Sequence, residues 1–134
     1  MIRTVESDRF SFTLVLEPDE HAAGEARHEL RQFLVDREVA AGQLSAAELV
    51  VSELVTNAVS SGSPEVEVYA RVDGDTIRIW VSDEVAVAPQ PHEPSPQGGG
   101  WGLHIIHEVA TRWGVRPRVD GQPGKTVWAD VLLT

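Results

Sequence analysis

The stretch that most constrains the fold is Ser45 to Gly62, SAAELVVSELVTNAVSSG. Its apolar residues recur on nearly every side, which is typical of a helix buried over most of its surface. Glu53 and Asn57 nevertheless lie in its middle, one turn apart, and project from the same face. Because a carboxylate and a carboxamide are costly to remove from water, polar partners from elsewhere in the fold or a ligand must satisfy them. We favour a ligand pocket.

The start of this helix is predicted at Ser45, because Ser45 and Glu48 have the spacing of a capping box. A longer amphipathic helix is predicted before it, beginning at Pro18-Asp19 and ending at Gly42, with apolar residues at helical spacing. Val51, Val55 and Ala58 are expected to form the core stripe of the Ser45 helix, on the side opposite Glu53 and Asn57.

Strand-like runs surround these helices. Residues 10–16 are rich in β-branched and aromatic residues, and residues 65–72 and 76–83 alternate apolar with polar around Asp73-Gly74-Asp75, a strong hairpin pattern. The remaining predicted elements are a short amphipathic helix over 101–113 and closing strands over 114–119 and 125–133. The order β-α-α-β-β-loop-α-β-β predicts a single domain over residues 1–134. We expect an α/β two-layer sandwich, with helices on one face of a mixed, mostly antiparallel sheet.

Composition excludes several classes of function. The chain of 134 residues contains no cysteine, which rules out disulfide frameworks, thiol chemistry and thiolate zinc sites. Its formal net charge of −10 argues against direct binding of nucleic acid, which requires clustered Lys and Arg. No apolar run is long enough to span a membrane, and the N-terminus lacks a signal-peptide core. A cytoplasmic location is the default expectation.

The segment from Val85 to Gly100 holds four of the eight prolines and ends in Gly98-Gly99-Gly100. This composition predicts a long loop, and a loop of such length in a small domain is often an active-site lid. The glycines stand just before a predicted helix, whose first N–H groups could bind a phosphate. A flexible linker into that helix is an equally good explanation of the glycine run taken alone.

Asp83 closes the second strand of the predicted hairpin, where its carboxylate could accept a hydrogen bond from an exocyclic amine. A turn-forming aspartate is the simpler explanation of that residue alone. Lys125 is the single lysine beside ten arginines, and its position between Gly124 and Thr126 singles it out.

Four of these features, in this order, resemble one superfamily. ELVTNA at 53–58, Asp83, GGGWGL at 98–103 and GKT at 124–126 look like the ATP-binding boxes of the gyrase, Hsp90, histidine-kinase and MutL superfamily. The branch that the chain resembles is that of the small anti-sigma-factor serine/threonine kinases and their actinobacterial relatives. The resemblance extends over nearly the whole chain and implies the Bergerat-type ATP-binding fold.

The resemblance implies a role for each matched residue. Asn57 matches the asparagine that coordinates Mg²⁺ bridging the nucleotide phosphates, and Glu53 matches the general base. Asp83 matches the carboxylate that reads the adenine amino group. The segment 85–100 corresponds to the ATP lid.

The remaining matched positions surround the phosphates and the base. Thr126 is implied to support Asp83 and a water beside the base, and Lys125 to approach the phosphates. The residues implied to form the phosphate-cradling turn are Gly98, Gly99, Gly100, Gly102 and Leu103.

The chain departs from the family pattern near the base and near the phosphates. Val85 stands where relatives often carry a glycine two residues after the aspartate, and its methyl groups could crowd the adenine. Trp101 replaces an arginine that is common in the glycine turn, which removes one possible phosphate contact.

The resemblance implies an ATP- and Mg²⁺-binding regulatory protein. We expect an anti-sigma factor that phosphorylates serine or threonine on an anti-sigma-factor antagonist of the STAS type. Its partners would be that antagonist and a sigma factor, and a homodimer is an expectation from the same branch. Three alternatives remain open: a nucleotide-binding interaction module without kinase activity, an adaptor that binds no nucleotide, and the ATP-binding part of a histidine kinase.

Overall fold

The structure of the chain is a computed structural model that describes residues 2–85, 101–118 and 121–134. Within these residues it contains six strands and three helices in the order β-β-α-α-β-β-α-β-β. The strands are β1 Ile2–Ser7, β2 Ser11–Leu16, β3 Val66–Asp73, β4 Thr76–Asp83, β5 Arg112–Pro117 and β6 Lys125–Leu132. The helices are α1 Ala22–Leu34, α2 Ala41–Ser60 and α3 Trp101–Val109.

The six strands form one open sheet in the spatial order β1-β2-β3-β4-β6-β5. Every pairing between neighbouring strands is antiparallel. The helices pack against one another and against the sheet, with α2 lying over β3, β4 and β6. The predicted class, an α/β two-layer sandwich, is confirmed, and the sheet contains no parallel pair among the described residues.

The β3–β4 hairpin matches its prediction. Asp73 pairs with Thr76, which leaves Gly74 and Asp75 as a two-residue loop. Gly74 has a φ of 62°, and among the described residues only glycines have positive φ. A glycine at the first loop position is the signature of a type II′ turn, whose twist fits an antiparallel pair.

The strand β1 was not predicted. Its sequence, IRTVES, carries polar and charged residues at four of six positions, so no apolar alternation marks it. It pairs with β2 at the edge of the sheet, which explains why it needs no second apolar face.

The predicted helix boundaries were wrong on both sides of Gly42. The helix α1 ends at Leu34, and α2 begins at Ala41 with Ala40 as its N-cap, which provides no side-chain hydrogen bond. Ser45 and Glu48 therefore lie inside α2 and form no capping box. Glu48 instead accepts two hydrogen bonds from Arg31 of α1, at 2.9 and 2.8 Å, so it joins the two helices.

The core lies between the sheet and the helices. Alternate residues of β4 (Ile77, Ile79 and Val81) face the helices and are almost fully buried. Val51, Val55 and Ala58 of α2 are buried as the predicted core stripe. At 20 residues α2 is the longest of the described helices, and none of them combines the length and apolar character required to cross a membrane.

Candidate functional site

Glu53 and Asn57 lie on α2 between residues that anchor the helix in the core. Leu54 and Val55 are buried beside them, whereas Glu53 and Asn57 are only half-buried. The apolar side of α2 is held by the sheet and by α1, so the polar pair has a fixed position at the margin of the core. Two polar groups on a helix anchored in this way are held in a fixed relative geometry, which a binding site requires.

Burial raises the pKa of the Glu53 carboxyl above its ordinary value, and the positive charge of Arg27 partly offsets this effect. A carboxylate whose pKa is raised binds a proton more readily than an exposed one. This is the property that a general base requires, because the base must accept a proton in the transition state.

The side-chain nitrogen Nδ2 of Asn57 is buried and has no hydrogen-bond partner among the described residues. Buried polar atoms are normally satisfied, so an orphan such as this one is typical of a site that a ligand or water completes. The carboxamide also supplies an oxygen, and Mg²⁺ prefers hard oxygen ligands and takes few of them from protein. The residue therefore fits a magnesium ion held mainly by phosphates.

Asp83 is 2% exposed at the end of β4. Its Oδ1 accepts hydrogen bonds from the Val85 backbone N–H at 2.8 Å and from Lys125 Nζ at 3.0 Å. Its Oδ2 is 3.0 Å from the same Nζ. The buried carboxylate thus has a cationic partner from its own chain.

The register of β4 with β6 determines which residues can reach Asp83. Asp83 pairs with Lys125, and Ser82 pairs with Thr126. Directly paired residues project from the same face of a sheet, and neighbours along a strand project from opposite faces. Lys125 therefore lies on the helix-covered face of the sheet together with Asp83. Thr126 lies on the opposite face, which we call the open face.

Two expectations differ from this arrangement. Thr126 does not support Asp83; its hydroxyl lies 2.8 Å from the Ser82 hydroxyl, with which it shares a hydrogen bond. Lys125 is 4% exposed and contacts Asp83 and Val85, whereas an approach to phosphates was expected. Both differences follow from the register, which the sequence motif GKT does not reveal.

Two residues that were not predicted as site residues, Ser63 and Gly124, lie beside Asp83 at the end of β4. The Ser63 hydroxyl accepts a hydrogen bond from the Glu84 N–H at 3.0 Å and donates to the Glu65 carbonyl at 2.6 Å. Gly124 has a φ of 124°, and a side chain there would lie 2.8 Å from Glu84 Cα and collide with the Asp83 carbonyl. Only a glycine permits β6 to begin so close to the end of β4.

The glycine turn and the lid can be located only in part. Gly98, Gly99 and Gly100, like most of the lid predicted over 85–100, lie outside the described residues. Gly102 and Leu103 belong to the first turn of α3, which begins at Trp101, directly after the glycines. In the part of the chain that the structure describes, no group of three His, Cys, Asp or Glu side chains could hold a metal ion.

A groove of about 370 Å³ lies on the open face of the sheet, away from the predicted site. It contains none of the predicted site residues and is lined by Arg71, Asp73, Thr76, Arg78, Trp80 and Asp130. Arg78 and Asp130 already satisfy each other there through two hydrogen bonds of 2.6 and 2.8 Å. The half-buried pair on α2 is the better candidate because one of its polar atoms lacks a partner.

A comparison with known protein families gives one match. The family of histidine kinase-like ATPase domains matches residues 16–130, which include Glu53, Asn57, Asp83 and Lys125. No curated protein sequence matches the chain.

Among solved structures, the crystal structure of the RsbU and RsbW domains of Rv1364c from Mycobacterium tuberculosis is similar, with a TM-score of 0.69 and 21% identity. The match covers 92% of this chain and 32% of that one, so the present chain spans about a third of its length. At this identity the likeness is one of fold.

Proposed function

The chain belongs to the family of histidine kinase-like ATPase domains, and on that premise we propose that it binds ATP together with Mg²⁺ at Glu53 and Asn57. The observation that carries the proposal is the buried, unpartnered Nδ2 of Asn57 beside a carboxyl of raised pKa. Such a pair fits a ligand that is rich in oxygen and negative charge, provided that a divalent cation lies between the ligand and the two side chains.

We further propose that the bound ATP serves phosphoryl transfer to a protein hydroxyl. Glu53 would take the proton of a serine or threonine hydroxyl as its oxygen bonds to the γ-phosphorus and the bond to ADP breaks. Asn57 would hold Mg²⁺, which supplies neutralisation of the phosphate charge when bound. In this scheme the chain's part is placement of the two groups on one face of α2.

The regulatory part of the proposal rests on the sequence resemblance to anti-sigma-factor serine/threonine kinases. The protein would sequester a sigma factor and release it in a cycle controlled by phosphorylation of a STAS-type antagonist, acting as a dimer in the cytoplasm. A net charge of −10 accords with action through proteins, because an acidic surface repels the phosphates of DNA. The predicted lid over 85–100 and the glycine turn would close over the phosphates.

A second candidate function is an interaction module that has retained the fold without using nucleotide. The bond between Lys125 and Asp83 favours it, since the carboxylate expected to read adenine already has a partner. Val85 in place of a smaller residue favours it as well.

Calorimetric titration with ATP separates the two candidates. We expect saturable binding that requires Mg²⁺ and weakens about tenfold or more in Asn57→Ala, the loss typical of a charge-assisted contact. Thr56→Ala is the matched control, because Thr56 is exposed on the same turn of α2 and its loss should leave binding unchanged. Absence of binding at millimolar ATP would favour the interaction module.

Phosphoryl transfer is tested with an antagonist protein and labelled ATP. Glu53→Ala should lower the rate by about 10²- to 10⁴-fold, the usual contribution of a general base, and leave ATP affinity nearly intact. Transfer that proceeds unchanged in Glu53→Ala would contradict the assignment of the base.

A further inference from the structure

Lys125 is the chain's one lysine, and its ammonium group is buried. Lysines are almost never buried unless they are paired. Here all three donors have an acceptor within reach, at 3.0 Å to each Asp83 oxygen and 3.1 Å to the Val85 carbonyl oxygen. The buried ammonium group is therefore paired with a carboxylate and a carbonyl oxygen of its own chain.

The backbone is arranged to place Lys125 at this point. The close approach of Gly124 to Asp83 and Glu84 brings the first residue of β6 alongside the last residue of β4. Ser63 fixes the Glu84 N–H, and Asp83 itself fixes the Val85 N–H. The contact is thus part of the fold and does not depend on a flexible surface side chain.

The acceptor sites of Asp83 are largely occupied in consequence. A carboxylate has about four lone-pair positions. The Val85 N–H and the Lys125 ammonium donate to Oδ1, and the same Nζ lies 3.0 Å from Oδ2 as an ion pair. An adenine amino group that binds to Asp83 must therefore displace Lys125 or share the carboxylate with a competing cation.

We propose that the Lys125 side chain occupies the end of the nucleotide pocket where Asp83 would bind adenine. By competing with adenine for Asp83, Lys125 lowers the affinity of the chain for ATP. The inference depends on the proposed function, because it takes Asp83 as the residue that reads the base. Nucleotide binding is then an exchange in which the Asp83 carboxylate releases the Lys125 ammonium and accepts the exocyclic amine of adenine. Because the ion pair between Asp83 and Lys125 must break in this exchange, the affinity of the unmodified chain for ATP is lowered.

The first test compares ATP affinities of substituted proteins by calorimetry. Lys125→Thr removes the cation and leaves a hydroxyl that can donate to Asp83; we expect ATP to bind about ten- to hundredfold tighter, the range of one charge-assisted hydrogen bond. Lys125→Arg, which keeps the charge, is the matched control and should bind no tighter than the unmodified chain. In the Lys125→Thr background, Asp83→Asn should weaken binding more than it does in the unmodified chain.

The outcomes distinguish this inference from the proposed function. Tight binding in the unmodified chain with no gain in Lys125→Thr overturns the inference and leaves ATP binding standing. Weaker binding in Lys125→Thr also overturns it, because Lys125 would then be a ligand of the nucleotide. If neither protein binds ATP, the inference and the proposed function fall together.

A second test needs no substitution, because a single lysine gives a single side-chain signal in protein labelled with ¹⁵N-lysine. We expect the buried ammonium to show slow proton exchange, and adenosine to shift or broaden its signal as ATP does. Tripolyphosphate should leave the signal in place. A response to tripolyphosphate without a response to adenosine would overturn the inference, since Lys125 would then face the phosphates.

Discussion

At the scale of single residues, Glu53 lowers the stability of the fold when its carboxyl is ionised. Its proposed role as a general base explains why a carboxyl is nevertheless placed there. Its pKa is raised by burial, so the folded chain binds its proton more tightly than the unfolded chain. Stability from such a group is fully present below the ordinary pKa of 4.5 and is lost as the pH rises through the raised value. At neutral pH the ionised carboxylate therefore destabilises the fold.

Glu53→Gln should be more stable than the unmodified chain at pH 7, because the amide has no charge to desolvate. The difference between the two should shrink as the pH falls towards 4.5. Denaturant titrations at several pH values measure both free energies of unfolding. An equal stability difference at all pH values would mean that desolvation of the charge is not the cause. The substituted protein should also lose phosphoryl transfer, the trade expected of an active-site residue.

Residue patterns identified the polar pair on α2 but could not identify the partner of Asp83. Glu53 and Asn57 are visible in sequence because helical spacing alone puts them on one face. The neighbour of Asp83 depends on the register between β4 and β6, and a slip of one residue exchanges Lys125 for Thr126. No local pattern in GKT specifies that register. Gly124, which precedes Lys125, was the one residue in the sequence that indicated a close approach of the backbone at this point.

At the scale of elements, helices and strands were predicted correctly where the local sequence pattern is strong. The β3–β4 hairpin was predicted to within a residue, because apolar alternation and a glycine turn agree there. The boundary between α1 and α2 was misplaced because Gly42 was taken as a helix end. In the structure it lies in the first turn of α2, with open space around it. Hydrogen bonds from Arg31 of α1 to Glu48 of α2 join the two helices.

The strand β5 has a requirement for glycine that substitution can test. A side chain at Gly114 would lie 2.8 Å from Nε1 of Trp128 on β6, so the indole must move. We expect Gly114→Ala to destabilise the fold by about 1–3 kcal/mol, as overpacking does. Gly42→Ala is the control, since nothing lies within 4 Å of that position and alanine is the better helix former. It should stabilise by up to about 1 kcal/mol in the same denaturant titration.

At the scale of the whole molecule, the two faces of the sheet have different chemistry. The helix-covered face carries the core and the proposed nucleotide site. The open face carries aromatic and arginine side chains, with Arg78 lying 4.4 Å from the centre of the Trp128 ring. Asp130 is buried beneath this layer and accepts both hydrogen bonds of Arg78. The sheet therefore separates the hydrogen-bonded pair of Arg78 and Asp130 from the proposed nucleotide site.

This separation predicts that substitutions on the two faces act independently. Asp130→Asn should destabilise the fold by about 1–3 kcal/mol, because Arg78 loses a charged partner, yet leave ATP affinity unchanged. Asn57→Ala should weaken ATP binding with little loss of stability, since the buried nitrogen of the Asn57 amide has no hydrogen-bond partner among the described residues. The changes in the free energy of unfolding caused by the two substitutions should add in the double variant, as they do for sites without shared contacts. A change of ATP affinity in Asp130→Asn would show that the open face is coupled to the site through the sheet.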